Sequence, residues 1–242
     1  MTKLSVNIDK IALLRNSRGR NYPDVIQFAK KFIDLGVHGI TIHPRQDERH
    51  IKKQDAREIS EFLKDYPDVE LNIEGFPSED FLELVEEIRP DQCTLVPDSV
   101  NQLTSDHGWN LSSKGEFVKE VSAVIKNLGC RISLFLDPDI EQVKSVPDTG
   151  ADRIELYTEA FASAFDTPER EHVLNKFKIA AEEARKFDIG INAGHDLDLN
   201  NLKKFLEIDD IREVSIGHAL IIECIEFGMK ETIRRYLDIC QK

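Results

Sequence analysis

The chain has 242 residues, of which 40% are hydrophobic and 32% charged, a composition typical of a globular protein with a sizeable core. Its 32 basic and 45 acidic side chains give a formal net charge of −13, the wrong sign for general attraction to nucleic acid or to an anionic membrane. These values exclude a disordered chain, a collagen-like repeat and a small disulfide-stapled scaffold. Any anionic ligand therefore needs a local positive pocket.

The cysteine pattern and the N-terminal segment indicate an intracellular protein. Cys93, Cys130, Cys224 and Cys240 form no C-x-x-C pair, so neither a disulfide framework nor a cysteine zinc site is indicated. No stretch approaches the roughly 18 unbroken apolar residues of a membrane span, and the N-terminal segment lacks the apolar region of a signal peptide. We expect a cytoplasmic location.

Short apolar runs rich in β-branched residues alternate with longer segments of helical period, which is the pattern of repeated βα units around a parallel sheet. Eight such units in 242 residues fit a closed (β/α)8 TIM barrel better than a doubly wound sheet, whose usual order needs about five or six strands. We predict one barrel domain over residues 1–242. Its predicted strands are Leu4–Ile8, Gly39–His43, Val69–Glu74, Gln92–Val96, Arg131–Leu136, Arg153–Tyr157, Ile189–Asn192 and Glu213–Ile216.

Apolar residues recur at helical spacing between the strands. The predicted amphipathic helices lie around Val25–Leu35, Phe81–Ile88, Phe117–Leu128 and Val173–Ala184, and a last helix runs from Ala219 to Leu237. Pro-Asp and Pro-Ser pairs mark several of the helix starts.

Two further segments interrupt the regular βα pattern. Lys10–Arg15 is predicted to form a short extra helix after the first strand. Pro97–Lys114 is predicted to form a long polar loop after the fourth strand, of a length typical of a lid over an active site.

Polar residues follow the carboxyl ends of the predicted strands, where the loops of a barrel converge. Gathering acids, bases and hydrogen-bond donors at one end costs desolvation free energy that stability alone does not require. A functional site is the simplest explanation. Its candidate residues are Asn7, Asp9, His43, Arg45, Glu74, Thr104, Glu155, Asn192, His195, Gly217 and His218.

The residue types at these ends point to acid–base chemistry on a phosphorylated ligand. His43 can titrate near neutral pH, and Glu74 in a barrel mouth could act as a general base. The Gly-His steps at 194–195 and 217–218 leave backbone N–H groups open to an anion. Arg18 lies in a basic run that could add charge to this pocket. Structural interpretations stay open for each: strand-end caps, a barrel salt bridge, helix caps and a solvated loop.

Seven sequence blocks resemble the pyridoxine 5′-phosphate synthase family and cover the chain from Leu4 to about Leu237. They are V-N-I-D-x-I-A-x-L-R-N-x-R-G, T-I-H-P-R-x-D-E-R-H-I, N-I-E-G, T-L-V-P-D, R-I-E-L-Y-T-E, N-A-G-H-D-L and V-S-I-G-H-A-L. This barrel family condenses 3-amino-2-oxopropyl phosphate with 1-deoxy-D-xylulose 5-phosphate, giving pyridoxine 5′-phosphate, phosphate and water. The resemblance implies two phosphorylated substrates, no metal or organic cofactor, and a homo-octamer whose loop after the fourth strand closes over the site.

The resemblance also implies roles for individual residues. His43 and Glu74 look like the proton acceptors, His195 like the proton donor and Glu155 like a stabiliser of the transition state. Residues that match contacts to the aminoketone phosphate are Asn7, Arg18, Asp196, Gly217 and His218. Residues that match contacts to the deoxyxylulose phosphate are Asp9, Lys10, Arg45, His50 and Thr104.

The chain departs from the family pattern at two of these positions. Lys10 stands where many members carry histidine; lysine can hold a phosphate as a point charge but does not shuttle protons near pH 7. Asp196 stands where many members carry glycine. We expect its carboxylate to point away from the phosphate and to cap the following helix.

Three other classes of protein share part of the pattern. Another phosphate-binding barrel, an isomerase or aldolase acting on a sugar phosphate, would have the same fold and Gly-His loops. A metal-dependent hydrolase could use His43, His50, His195 and Glu74, although H-x-H and H-E-x-x-H spacings are missing. A binding protein without activity would need no set of proton-transfer groups.

Overall fold

The computed structural model describes residues 1–98, 102 and 104–241, and within them eight parallel strands close into a barrel in chain order. Val6 of the first strand lies opposite Ile40 of the second and Ile216 of the last, which closes the ring. The predicted (β/α)8 barrel is confirmed. Its strands are β1 (Lys3–Asn7), β2 (Gly39–Ile42), β3 (Glu70–Gly75), β4 (Gln92–Leu95), β5 (Arg131–Leu136), β6 (Arg153–Tyr157), β7 (Gly190–Gly194) and β8 (Ile211–Ile216).

Helices cover the outside of the barrel. They are α1 (Asp9–Asn16), α2 (Val25–Asp34), α3 (Lys53–Leu63), α4 (Glu79–Ile88), α5 (Leu111–Asn127), α6 (Ile140–Thr149), α7 (Glu159–Ala164), α8 (Arg170–Lys186), α9 (Leu202–Phe205), α10 (His218–Phe227) and α11 (Met229–Cys240). Side chains cap α2 and α4, where Asp24 and Ser78 accept hydrogen bonds from backbone N–H groups of the first turn. None of the helices among the described residues has the length and apolar character needed to cross a bilayer.

The structure differs from the predicted elements at two boundaries. The last helix is not continuous, because Gly228 adopts φ 83° and ψ 140° and separates α10 from α11. The predicted loop Pro97–Lys114 is too long at its end, because the Asn110 side chain accepts a hydrogen bond from Ser113 N–H at 3.2 Å and starts α5. Residues 99–101 and 103 of that predicted lid lie outside the described part of the chain.

The two faces of the strands have opposite character. Outward side chains such as Leu4, Ile40 and Ile73 are fully buried against the helices. Inward side chains are polar and bond to one another: Ser5 Oγ lies 2.7 Å from Thr41 Oγ1. The barrel interior is therefore a hydrogen-bonded polar core, and this core supports the groups at the mouth.

Asn192 belongs to this polar core and not to the mouth where it was predicted. Its Nδ2 donates to Gln92 Oε1 at 3.2 Å, and its Oδ1 accepts from Arg153 Nη1 at 3.1 Å. Glu213 accepts from Gln92 Nε2 at 3.2 Å in the same layer. The tilt of a strand determines how deep each of its residues lies in the barrel, and sequence periodicity alone does not predict that depth.

Candidate active site

A cavity of about 520 Å³ opens at the carboxyl ends of the strands. The predicted site residues line it, apart from Arg18 and Asn192. Arg18 is exposed in the turn after α1. The predicted residues that the fold brings together are Asn7, Asp9, Lys10, His43, Arg45, His50, Glu74, Thr104, Glu155, His195, Asp196, Gly217 and His218.

The cavity also contains residues that sequence reasoning did not single out. Tyr157 is the last residue of β6 and stands two positions after Glu155, so the strand period places both on the inner face. That spacing was the available signal for Tyr157. The other lining residues are Leu13, Arg49, Ser105, Leu197, Ser215, Ile216 and Ala219.

His43 and Glu74 form the first acid–base pair, on the neighbouring strands β2 and β3. His43 Nδ1 lies 3.8 Å from Glu74 Oε2, and His43 N–H donates to Asp9 Oδ1 at 3.0 Å. Burial lowers the pKa of His43 well below 6.5, and the positive charge of Arg45 lowers it further. Burial raises the pKa of Glu74 well above 4.5, and the nearby Glu155 carboxylate adds repulsion. Burial therefore shifts each of the two groups toward its uncharged form.

Glu155 and His195 are two further titratable groups of the same cavity, on β6 and directly after β7. Burial raises the pKa of Glu155 to about 8, and the charge of Glu213 adds to this rise. Burial lowers the pKa of His195 to about 4; Asp98 opposes this change, whereas Arg45 and other cations add to it. Glu155 Oε2 is buried without a hydrogen-bond partner among the described residues. Glu155 and His195 are therefore mainly uncharged near pH 7.

Asp9 and His50 lie beside the first pair, at the start of α1 and in the loop before α3. His50 Nδ1 lies 3.7 Å from Asp9 Oδ1 and has no hydrogen-bond partner in the described ranges. Burial lowers the pKa of His50, and the Asp9 charge opposes the change. Among all the residues that the structure describes, no group of three or more His, Cys, Asp or Glu side chains is arranged to hold a metal ion.

Arg45 connects the end of β2 to the loop that follows β4. Its guanidinium donates to the Asp98 carboxylate, and its Nη1 donates to the carbonyl oxygen of Gln102 at 2.9 Å. Ser105 Oγ donates to Asp98 Oδ2 at 2.7 Å. A bound phosphate would therefore compete with a carboxylate and a loop carbonyl for this guanidinium.

The backbone after β7 is held in an unusual conformation. His195 and Asp196 have φ values of 78° and 58°, in the left-handed region that favours glycine. The Thr158 hydroxyl donates to the carbonyl oxygens of Gly194 and His195, and Asn201 Nδ2 donates to that of Asp196 at 3.0 Å. Such bonds stabilise a strained turn that places the His195 ring in the cavity.

The expectation that Asp196 caps the next helix is wrong. The residue that precedes α9 is Asn201, and no side chain of the described residues caps this helix. Asp198 accepts hydrogen bonds from the N–H groups of Asn200 and Asn201, both at 2.8 Å, in the turn before it. The Asp196 side chain is exposed at the cavity rim. Partial burial of its carboxyl group raises its pKa, and the nearby His218 opposes this rise.

Cations and a helix N-terminus surround the mouth. Lys10, Arg45 and Arg49 line one part of the rim. On the other side, α10 begins at His218, so its first backbone N–H groups face the cavity beside Gly217. Both features favour anions.

A closed (β/α)8 barrel whose mouth gathers the His43–Glu74 pair, Glu155 and His195 beside cationic side chains defines an acid–base enzyme for anionic substrates. Residues 4–242 match the family model described as pyridoxal phosphate biosynthesis protein PdxJ, and the chain belongs to this family. It is 45% identical to pyridoxine 5′-phosphate synthase from Leptospira biflexa, across 99% of this chain and 97% of that protein. It is 48% identical to the protein of the same name from Cytophaga hutchinsonii, across 100% of both.

Solved structures with the same fold are much less similar in sequence. 3-Hexulose-6-phosphate synthase from Salmonella typhimurium superposes with a TM-score of 0.68 at 14% identity, covering 99% of each chain. Thiamine phosphate pyrophosphorylase from Pyrococcus furiosus gives a TM-score of 0.65 at 13% identity, covering 99% of this chain and 95% of that one. These two likenesses support the barrel fold alone.

Gly194 leaves the space that the Glu155 carboxylate occupies. A Cβ at Gly194 would overlap Glu155 Oε1 and stand 3.2 Å from the carbonyl oxygen of Ser215. We expect Gly194→Ala to lower the free energy of unfolding by about 1–3 kcal/mol, as overpacking does. Denaturant unfolding measures this. Gly115→Ala is the control, because a Cβ there has nothing within 4 Å, and unchanged stability of Gly194→Ala would show that Glu155 does not pack here.

Glu155 makes stability depend on pH with a definite sign. Its folded pKa of about 8 exceeds the ordinary 4.5, so the folded state keeps a proton that the unfolded chain loses. The unfolded state then binds fewer protons, and stability falls as pH rises from 4.5 to about 8. We expect Glu155→Gln to reduce this fall, measured as unfolding free energy against pH. Glu116→Gln, on the exposed face of α5, is the control, and equal slopes for wild type and Glu155→Gln would contradict the assignment.

Proposed function

We propose that the chain is a pyridoxine 5′-phosphate synthase that condenses 3-amino-2-oxopropyl phosphate with 1-deoxy-D-xylulose 5-phosphate. The products are pyridoxine 5′-phosphate, inorganic phosphate and water. The observation that carries this proposal is that His43, Glu74, Glu155 and His195 share one cavity of about 520 Å³. Relatives of that name are 45% and 48% identical over nearly the whole chain.

The reaction needs more than one acid–base residue. Joining an amine to a ketone, expelling phosphate and water, and closing an aromatic ring move protons at several different atoms. Because His43 starts uncharged, it can accept a proton directly. His195 also starts uncharged, so it takes up a proton from the substrate before it donates one. The raised pKa of Glu74 makes its carboxylate a stronger base than an ordinary glutamate, so Glu74 is the second proton acceptor, while Glu155 stabilises charge in the transition state.

Two phosphorylated substrates require two anion sites, and the barrel order offers two regions. Arg45, His50 and Thr104 lie on the side of β2 and the loop after β4, where the proposal places the deoxyxylulose phosphate. Gly217, His218 and Asp196 lie at the ends of β7 and β8, where it places the aminoketone phosphate. β1 lies between them and contributes Asn7, Asp9 and Lys10. The predicted contact of Arg18 stays a prediction, because that side chain is exposed outside the cavity.

The loop after β4 would act as the lid in this proposal. Thr104 and Ser105 line the cavity, and Arg45 bonds to Asp98 and Gln102 at the base of the loop. Closure would keep water from hydrolysing an imine intermediate. The chain would work as one domain in the cytoplasm, where charged phosphorylated substrates are retained, without a metal or organic cofactor.

The assay that tests the function mixes the protein with both substrates and follows phosphate release together with the pyridine chromophore. Product should form with both substrates and not when either is omitted. Turnover of one phosphorylated substrate alone would favour a sugar-phosphate isomerase or aldolase instead. We expect His195→Asn to lower kcat by about 10²–10⁴-fold, the usual contribution of general acid–base catalysis.

His172→Asn is the matched control for this measurement, because His172 is exposed on α8, away from the cavity. Wild-type rates for His195→Asn would remove His195 from the mechanism. Absence of product with both substrates, at varied pH and salt, would defeat the proposed function as a whole.

A homo-octamer is the proposed assembly, and an exposed apolar surface supports it. The α10 face consists of Ile222 and Ile225, which lie three residues apart on one side of the helix, and Ile225 is 72% exposed. The adjacent α1 also exposes Leu14. Exposed apolar side chains that lie together favour association between copies. We expect this face to lie between subunits.

Substituting the most exposed residue of the α10 face tests the assembly. Ile225→Lys should lower the mass measured by analytical ultracentrifugation, because a buried, unpaired charge at an interface is costly. Val124→Lys is the control, on the exposed side of α5 and 50% exposed. A wild type that sediments as a monomer would contradict the octamer, and an unchanged Ile225→Lys would exclude this face.

A further inference from the structure

His195 lies in a pocket made of aromatic rings from two neighbouring strands. The centroid of its imidazole is 5.1 Å from that of Phe135 in β5 and 5.2 Å from that of Tyr157 in β6. The two aromatic rings are themselves 5.2 Å apart, so the three rings form a nearly equilateral triangle. Tyr157 meets the imidazole at 83°, an edge-to-face arrangement.

The two aromatic rings contact different sides of this pocket. Phe135 is 1% exposed and does not line the cavity, so it closes the interior side. Tyr157 is half-buried and lines the cavity together with His195, so it stands on the side from which water and substrate approach. Removal of Tyr157 would therefore expose the imidazole to water while Phe135 stays in place.

We propose that the ring of Tyr157 is the positioning element for His195, fixing the orientation of the imidazole and excluding water from it so that it is uncharged in the free enzyme. The proposal rests on the proposed function, in which His195 transfers protons. It assigns the effect to the aromatic ring and not to the hydroxyl group, which makes no hydrogen bond within the described part of the chain.

Fixed charges around His195 and Tyr157 do not by themselves explain the lowered pKa of His195. The charged groups that face His195 are Asp98 after β4, Arg45 after β2 and Lys10 on α1, and the carboxylate opposes the two cations. The His43 imidazole also faces it, and its pKa lies well below 6.5. Burial is the largest cause of the lowered His195 pKa.

Tyr157 itself adds no charge. The groups that face its phenol are Glu159, Asp196, Asp106 and Asp137, and together with burial they raise its pKa to about 12. Removing Tyr157 therefore removes no charge at working pH, and a changed His195 titration after its removal reports hydration and packing.

The test is an NMR titration of labelled His195, assigned with His195→Asn, in the full chain. Wild type should titrate near the pKa of about 4. Tyr157→Ala should raise the His195 pKa by about one unit or more as water enters, and Tyr157→Phe should leave it within about 0.3 unit of wild type. If the alanine variant does not fold, Tyr157→Val carries the same expectation.

Tyr66→Ala is the matched control, because Tyr66 is also a half-buried tyrosine, packed on Phe62 at 5.0 Å away from the cavity. It should change neither the titration nor turnover. In kinetics, Tyr157→Ala should shift the acid limb of the kcat profile in the same direction and lower kcat by about tenfold through misorientation of the imidazole.

Two results would overturn the proposal: an unchanged His195 titration in Tyr157→Ala, or an equal shift in Tyr157→Phe, which would assign the effect to the hydroxyl group. The titration needs no substrate. Failure of the proposed function, seen as no product, is therefore distinguished from failure of this inference, seen in the His195 pKa.

Discussion

Desolvation inside a closed barrel is the constraint on which the site depends. For His43, Glu74, Glu155 and His195, burial is the largest cause of each pKa shift. It moves the acids up and the bases down, so four ionisable groups occupy one cavity without strong mutual repulsion. Positive charge is instead at the rim, on residues such as Lys10. The cavity can thus attract anions and still keep uncharged groups that can exchange protons.

The polar core beneath the mouth maintains this arrangement. Thr94 Oγ1 donates to Asn72 Oδ1 at 3.0 Å, and both side chains are buried inside the barrel. Hydrogen-bonded side chains of this kind hold one another in place, because each would lose a partner if it moved. One layer below, Glu213 raises the pKa of Glu155 by charge repulsion. The interior of the barrel therefore takes part in setting the protonation of the site, besides holding it in place.

The sequence predicted the strands and most of the cavity because β-branched runs and polar strand ends are local signals. His43, Glu74 and His195 were found in this way, since the carboxyl ends of all strands meet at one mouth. How deep a side chain lies in the barrel, and which way it points, was harder to predict from the sequence. Asn192 lies inside the polar core because strand tilt lowers it, Arg18 is outside the cavity, and Tyr157 was missed because a strand-end tyrosine is equally typical of packing. Helices α3, α6, α7 and α9 were not among the helices for which bounds were predicted either.

Lys10 shows how a departure from the family pattern fits the same constraint. It stands in the first turn of α1, and its charge lowers the pKa of both His195 and His50. A histidine there, which the resemblance implies for many family members, would have a charge that varies with pH, whereas a lysine side chain is a point charge. The charge of Lys10 and the burial of His195 thus both lower the His195 pKa. The substitution removes a possible proton carrier from the rim, and it makes the uncharged form of His195 less sensitive to the local protonation state.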